Sequence, residues 1–244
     1  MRRPVVAGNW KVNKAPDEAV SFVNQNAKSF SVKGVEVILC VPSVSLWAVK
    51  QALEKTDINI SAQNMHYEKE TERTGEITGE MLVEMGVKHV LVGHSERREH
   101  FGETDEIINV KTKKALELGI TPIVCIGETA RERENDKTND VLESQLINGL
   151  KGISDNEKRK LIIAYEPVWA IGKKAIRAAK AEDAEAACKF VRGIVGDDIT
   201  ILYGGSVKPE NASELFGQPN IDGGLVGGAS LLPSFADVVK AGAK

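Results

Sequence analysis

Short runs of apolar, mostly β-branched residues recur along the chain, and each is followed by a longer segment with helix-like spacing of its apolar positions. The runs predict strands at Pro4–Ala7, Val35–Val41, Ile58–Ala62, His89–Gly93, Thr121–Ile126, Leu161–Tyr165, Thr200–Tyr203 and Gly223–Val226. The longer segments predict helices at Asp17–Phe30, Val44–Glu54, Gly79–Met85, Asp105–Leu118, Val141–Leu150, Ala179–Val195, Pro209–Phe216 and Ser234–Ala241. Regular alternation of strand and helix predicts an α/β fold.

The strand–helix pairs succeed one another without a linker or a low-complexity tract. A closed barrel of eight such units takes about 250 residues, and the chain has 244. We therefore expect one domain over residues 1–244, folded as a single (β/α)8 TIM barrel, and the pattern leaves an open doubly wound sheet as the alternative. The chain has neither a GxGxxG motif after the first strand nor a P-loop motif, so the usual nucleotide-binding loops are missing.

Composition narrows the class of partner. The formal net charge is −3, and no apolar run reaches the length of a membrane span, so neither a nucleic acid nor a membrane is predicted as a partner. Cys40, Cys125 and Cys188 lie far apart, as expected of reduced thiols in a cytoplasmic protein. No metal-ligand spacing is evident, and no cofactor is predicted.

Polar residues and glycines gather directly after the predicted strands, where a barrel carries its chemistry. They are Asn9 and Lys11, Gln63 and Asn64, His94 with Ser95 and Glu96, Glu128, Glu166, Ser206, and the Gly227-Gly228 pair. So many strand ends with this content are hard to explain as random surface.

Glu166 ends a buried strand and is followed at once by Pro167, which stops the strand. A carboxylate there is costly unless it has a partner or a chemical role. We expect Val168 and Trp169 to cover it, which would raise its pKa and make it a better base. The alternative is a strand-end glutamate in water or in an ion pair.

His94 precedes Ser95, which is suited to begin a short helix. A helix N-terminus disfavours the imidazolium, so we expect a neutral histidine that donates a hydrogen bond; the alternative is a structural histidine. One carboxylate base, one neutral donor and the Lys11 ammonium suit proton abstraction next to a carbonyl.

Two glycine pairs, Gly204-Gly205 before Ser206 and Gly227-Gly228, each join a strand to a helix-like segment. Glycine allows backbone N–H groups to approach an anion, and the loops after strands seven and eight are the frequent phosphate site of barrels. Two such loops with Lys11 across the mouth favour phosphate binding over plain turns.

These motifs resemble the triosephosphate isomerase family over nearly the whole chain. The matching segments are Gly8-Asn9-Trp10-Lys11, Ala62-Gln63-Asn64-Met65, Val92-Gly93-His94-Ser95-Glu96-Arg97-Arg98, Ala164-Tyr165-Glu166-Pro167-Val168-Trp169-Ala170-Ile171-Gly172, Tyr203-Gly204-Gly205-Ser206-Val207 and Asp222-Gly223-Gly224-Leu225-Val226-Gly227-Gly228-Ala229-Ser230. The resemblance implies a barrel enzyme that interconverts dihydroxyacetone phosphate and glyceraldehyde 3-phosphate through an enediolate, as a homodimer without a cofactor.

The resemblance also implies the roles of individual residues, and the family is a well-described case of a glutamate base working with a neutral histidine. Glu166 would move the proton between C1 and C2, and His94 would polarise the carbonyl. Lys11 would balance the charge of the substrate, with Asn9 beside it. Glu96 would contact these residues and not the substrate. The phosphate would be bound by N–H groups of Gly172, Ser206, Gly227 and Gly228. Cys125 matches a family position near the base, and we interpret it as packing.

The chain departs from the family in the lid loop. The family continues after Gly172 with Thr-Gly-Lys-Thr, whereas this chain has the longer, helix-favouring segment Lys173–Lys180. A stiffened lid, or one converted into an early extension of the next helix, would close poorly over the phosphate. We therefore expect reduced turnover.

The second departure replaces the family's apolar Gly-Ala-Phe tip, which plugs into the neighbouring subunit, by Thr71-Glu72-Arg73. Val44 also stands where a phenylalanine is common, with Trp47 nearby. Burying charged side chains without partners is costly, so we expect a monomer or a weakened dimer.

Both departures fall in functional loops of an otherwise intact family sequence, which suggests an engineered variant. Two hypotheses follow: a working isomerase with a compromised lid, or a catalytically impaired monomeric barrel that still binds phosphate ligands. The intact Glu166, His94 and Lys11 favour the first, and the two altered loops favour the second.

Overall fold

The computed structural model describes residues 2–69, 72–171 and 179–243, and in it eight parallel strands close into a barrel in chain order. The strands are β1 Val5–Asn9, β2 Glu36–Val41, β3 Asn59–Ala62, β4 His89–Val92, β5 Thr121–Ile126, β6 Ile162–Tyr165, β7 Thr200–Tyr203 and β8 Gly223–Val226. β1 pairs with both β2 and β8, so the sheet has no free edge. The predicted (β/α)8 barrel is confirmed, and the open-sheet alternative is wrong.

Helices surround the barrel. They are α1 Pro16–Phe30, α2 Ser43–Ala52, α3 Gly79–Glu84, α4 Ser95–Phe101, α5 Asp105–Glu117, α6 Ala130–Glu134, α7 Thr138–Gly149, α8 Asp155–Lys158, α9 Ala181–Val195, α10 Pro209–Phe216 and α11 Phe235–Ala241. Among the described residues, no helix has the length and apolar character needed to cross a membrane.

Two short helices, α6 and α8, were absent from the predicted set, whereas the short helix α4 begins at Ser95, as the residue type suggested. Both of these helices begin with a capping box, in which a Thr or Ser and a Glu three residues later cap each other's backbone. That signature, Thr129 with Glu132 and Ser154 with Glu157, is visible in the sequence and could have found them.

Helix α9 begins later than predicted. Lys180 precedes it in an extended conformation, and the helix starts at Ala181 with Glu182 and Asp183 in its first turn. Acidic residues favour a helix N-terminus at that point because they complement the helix dipole. An extension of this helix into Ala179 and Lys180 is therefore wrong, and residues 173–178 of the predicted lid lie outside the described part of the chain.

Alternation along each strand divides its side chains between two buried surfaces. One set fills the barrel interior and includes Ala7, Cys40, Leu91, Cys125 and Ala164. The other set packs against the helices in a larger core. Strands buried on both faces read as continuous apolar runs, which is why the sequence located them well.

Candidate active site

Two residues that the sequence singled out on separate strands meet at the carboxyl-terminal end of the barrel. His94 follows β4, Glu166 follows β6, and His94 Nε2 lies 3.0 Å from Glu166 Oε1. Both are buried, with 5% and 2% of their surface exposed. The pair is therefore shielded from water at the point where substrates bind in barrel folds.

The start of helix α4 determines which nitrogen of His94 carries the proton. Gly93 turns the chain with φ of 71°, and His94 occupies the N-cap position of α4. The Glu96 backbone N–H donates to His94 Nδ1 at 3.2 Å. An imidazole nitrogen that accepts a hydrogen bond is unprotonated, so the geometry assigns the neutral tautomer with its proton on Nε2, directed at Glu166.

Two effects act on the pKa of His94 in opposite directions. Burial lowers it, and the Glu166 carboxylate raises it, with a net upward direction in this arrangement. The hydrogen bond from Glu96 opposes protonation at Nδ1, because an N–H group cannot donate to a protonated nitrogen. The upward contribution persists only while Glu166 stays against the ring.

Glu166 accepts a hydrogen bond on each oxygen. Its Oε1 faces His94, and its Oε2 accepts the Ser95 backbone N–H at 3.0 Å. Burial raises the pKa of Glu166, but His94, the Ser95 N–H and the Lys11 charge lower it, and the net direction is downward. The sequence-based expectation of a raised pKa is wrong in this arrangement, because the groups that lower it come from distant parts of the chain.

Close packing around Glu166 leaves room only for small residues. A side chain at Gly127 would overlap the Glu166 carbonyl oxygen at 1.8 Å, and one at Gly204 would contact Glu166 Cγ at 2.8 Å. Cys125 lies buried in the barrel interior, and burial raises the pKa of its thiol well above the ordinary value. Such a thiol is inert, which agrees with its interpretation as packing.

Glu128, after β5, is a fully buried carboxylate that the sequence analysis placed at a strand end without a role. Its Oε1 accepts hydrogen bonds from Trp169 Nε1 at 2.8 Å and from the Tyr165 hydroxyl at 3.1 Å, and Arg133 lies beside it. The carboxylate therefore orients the indole that follows Glu166.

Lys11, after β1, has a backbone conformation that non-glycine residues rarely adopt, with φ of 52°. Asn9 Oδ1 accepts the Lys11 N–H at 3.0 Å, and Gln63 Nε2 donates to the Lys11 carbonyl at 2.8 Å. The Lys11 ammonium pairs with Glu96 Oε1 at 2.5 Å. Gln63 was noted only as a strand-end residue, and its position in a matched motif was the available signal.

The glycine-rich loops after β7 and β8 open on the same mouth. Gly228 begins a short 3₁₀ turn, Gly228–Leu231, and an ideal Cβ on Gly227 would lie 3.9 Å from Lys11 Cε. After β7, Asn211 Nδ2 donates to the Ser206 carbonyl at 3.0 Å. The structure thus places the Gly227-Gly228 loop beside Lys11. The predicted phosphate ligand Gly172 lies outside the described residues.

A cavity of about 530 Å³ adjoins these residues. Asn9, Lys11 and His94 line its inner part, and Val12 and Phe101 line its outer part. Within the described ranges, this site included, no three or more His, Cys, Asp or Glu side chains are grouped as a metal site would need. The cavity gives a small polar molecule access to the His94 ring and the Lys11 ammonium, and Glu166 lies behind the ring at 3.0 Å.

The comparisons with known proteins agree on one family. The profile of a family described as Triosephosphate isomerase matches residues 4–242. A protein named Triosephosphate isomerase from Carboxydothermus hydrogenoformans is 50% identical over 98% of this chain and 99% of its own length. Proteins of the same name from Geotalea uraniireducens and Alkaliphilus metalliredigens are 47% and 46% identical over 98% and 95% of this chain, and over 99% and 96% of their own lengths.

The hydrogen bonds of His94 lead to a prediction about its titration. Above the pKa of His94 we expect nitrogen NMR to show a ring with its proton on Nε2, because Nδ1 accepts the Glu96 N–H. Substitution Glu166→Gln removes the carboxylate charge that raises the pKa of His94, so His94 should titrate at a lower pH in that variant. The exposed Glu134→Gln variant is the control and should leave the titration unchanged. A neutral ring with its proton on Nδ1, or no downward shift in Glu166→Gln, would contradict the assignment.

Proposed function

Because this chain belongs to the triosephosphate isomerase family, we propose that Glu166 and His94 carry out the family's proton transfer between neighbouring carbons of a triose phosphate. The chain is an isomerase that interconverts dihydroxyacetone phosphate and glyceraldehyde 3-phosphate. The observation that carries the assignment of residues is the buried 3.0 Å contact between His94 Nε2 and Glu166 Oε1.

Glu166 is the base in this proposal. It takes a proton from C1 of dihydroxyacetone phosphate, which leaves an enediolate, and it returns the proton to C2 to give glyceraldehyde 3-phosphate. No nucleophile or external proton is consumed. Burial suits this role, because a desolvated carboxylate that leaves its hydrogen-bond donors becomes more basic.

His94 is the electrophile. Its Nε2–H donates to the carbonyl oxygen that gains negative charge as the C–H bond breaks. A neutral imidazole suits this step because it polarises the carbonyl by donating its Nε2–H and can then move protons between the two enediolate oxygens. The N–H of Glu96 on Nδ1 holds the ring in the required tautomer.

Lys11 supplies the positive charge. Its ammonium is part-buried and paired with Glu96, and its strained backbone is held by Asn9 and Gln63. Preorganised charge stabilises a transition state because no reorganisation is needed during the reaction. We assign Asn9 and Glu96 to holding and balancing this cation.

The phosphate is assigned to the N–H groups of Ser206, Gly227, Gly228 and, by resemblance, Gly172. The support is the position of the Gly227-Gly228 loop beside Lys11, since backbone N–H groups and an ammonium together favour a dianion. A cytoplasmic location also belongs to this proposal, supported by the buried free thiols of Cys40, Cys125 and Cys188.

The proposal includes a weak homodimer. Apolar side chains stand exposed around the outer part of the cavity: Val12 and Phe101 line it, and Val44 belongs to the helix that lines its rim. Exposed apolar surface of this kind favours association. Against it stands the charged tip, whose Glu72 and Arg73 are exposed, while Thr71 lies outside the described residues. Desolvating these charges weakens the contact.

The role of Glu166 predicts the effect of removing its charge. The substitution Glu166→Gln should lower kcat by about 10²–10⁴-fold, because an amide cannot accept the proton. The measurement is a coupled steady-state assay in both directions. The exposed Glu134→Gln variant is the control and should keep wild-type kcat. A wild-type kcat in Glu166→Gln would show that Glu166 is not the catalytic base.

The lid departure predicts reduced turnover. Exchange of residues 173–178 for the family's Thr-Gly-Lys-Thr, which is two residues shorter, should raise kcat, because a lid that closes excludes water and holds the phosphate. The assay compares the exchanged and original chains under the same conditions, together with phosphoglycolate affinity. If the original chain already turns over at the rate of the relatives assayed beside it, the lid is not impaired.

The charged tip predicts concentration-dependent association. Sedimentation at micromolar concentrations should show monomer and dimer in exchange. Restoring the family's apolar tip by Thr71→Gly, Glu72→Ala and Arg73→Phe together should shift the population to dimer, because dimerisation then no longer requires burial of charged side chains. A control with Lys158→Ala, on the remote helix α8, should leave the equilibrium unchanged. A dimer that persists at all concentrations in the original chain would contradict the weak association.

A further inference from the structure

Arg98, on helix α4, makes three hydrogen bonds that none of the assigned roles uses. Its Nε donates to the Gly93 carbonyl at 3.0 Å, and its Nη2 donates to the Cys125 carbonyl at 3.1 Å. Its Nη1 pairs with Asp105 Oδ1 at 2.7 Å. One guanidinium therefore joins the end of β4, the end of β5 and the start of helix α5.

The two carbonyls lie just beyond the point where the β4–β5 ladder ends. The last pair in that ladder is Val92 with Val124, and Gly93 and Cys125 are the next residues on each strand. The guanidinium spans the positions at which the ladder would have continued.

The neighbouring ladder, between β5 and β6, extends further toward the carboxyl-terminal end of β5. β5 and β6 stay paired as far as Ile126 with Tyr165, and the Glu166 N–H still donates to the Ile126 carbonyl at 2.7 Å. Glu166 is thus attached to β5 by backbone hydrogen bonds up to its own residue. His94 lies beyond the last ladder pair of β4, and Arg98 supplies the link from its preceding residue to β5.

This geometry matters because β4 and β6 are not neighbours, and β5 lies between them. The 3.0 Å separation of His94 and Glu166 is therefore set by two joints, β4 to β5 and β5 to β6. Backbone hydrogen bonds make the β5–β6 joint. The β4–β5 joint depends on the Arg98 side chain at the end that carries His94.

We propose that Arg98 is a positioning residue that fixes His94 relative to Glu166 by joining the ends of β4 and β5. Arginine suits the task because its rigid planar fork reaches several acceptors at once, whereas a lysine ammonium acts as a compact charge on a flexible stem. The ion pair with Asp105 holds the Arg98 guanidinium in the orientation that reaches both carbonyls. The inference rests on the proposed roles of His94 and Glu166.

The test uses the full chain with Arg98→Lys and Arg98→Ala. A catalytic group misplaced by about 1 Å can cost on the order of 10²-fold in rate, so we expect kcat to fall by that order in both variants. KM should change little, because Lys11 and the phosphate loops are not touched. Guanidinium ion at sub-denaturing concentration should restore kcat of Arg98→Ala in a saturable way and should not restore that of Arg98→Lys.

Nitrogen NMR supplies a readout that does not depend on turnover. The ring resonances of His94 should move in both variants, and those of the exposed His100 should not. The Asp105→Asn variant should show a smaller loss of kcat, because the carbonyl contacts remain. The exposed Arg131→Ala variant is the matched control and should retain wild-type kcat.

Two results would overturn the inference: wild-type kcat in both Arg98 variants, or a loss of kcat with lowered melting temperature, no guanidinium rescue and unmoved His94 resonances. If Arg98→Ala does not fold, Arg98→Lys decides by the same kcat and NMR criteria. Absence of isomerase activity in the unmodified chain would instead refute the proposed function. The His94 ring resonances of the Arg98 variants would still test whether Arg98 positions His94.

Discussion

The structure depends on placing one carboxylate, Glu166, at the end of a buried strand. An ionised carboxylate without water needs hydrogen-bond donors to compensate its lost hydration. Both donors come from the start of helix α4, as the His94 ring N–H and the Ser95 backbone N–H. The turn between β4 and α4 supplies these donors from more than seventy residues earlier in the chain. It therefore compensates the lost hydration of the Glu166 carboxylate.

That dependence explains features that look local. Gly127 and Gly204 stand where any side chain would press on Glu166, and the positive φ of Gly93 turns the chain so that His94 can cap α4. Lys11 shows the same compromise, since its strained backbone is held by neighbouring side chains. Strain and buried charge concentrated at one end of a stable barrel are typical of a site shaped for chemistry.

The barrel and the cluster of strand-end residues could be predicted because both produce patterns within short stretches of the sequence. Buried strands appear as apolar runs, and polar residues directly after them are conspicuous. The direction of the Glu166 pKa was predicted wrongly because Val168 and Trp169 are its neighbours in the chain, whereas Ser95 and His94 reach it only in the fold. The N-terminus of α9 was misplaced for a simpler reason: helix propensity was weighed without the acidic first turn.

The pairing seen here also indicates how the reaction begins. Each oxygen of Glu166 accepts one N–H donor, and in the proposed mechanism the carboxylate gives up the His94 donor before it takes a proton from carbon. In the proposed mechanism, a substrate carbonyl that accepts the His94 Nε2–H takes the place of Glu166 at the ring. The same exchange removes the His94 hydrogen bond that lowers the pKa of Glu166, while its burial, which raises the pKa, remains. We therefore expect binding of the ketone or aldehyde to make Glu166 a stronger base, while the contact with His94 supplies its hydrogen bond in the unliganded site.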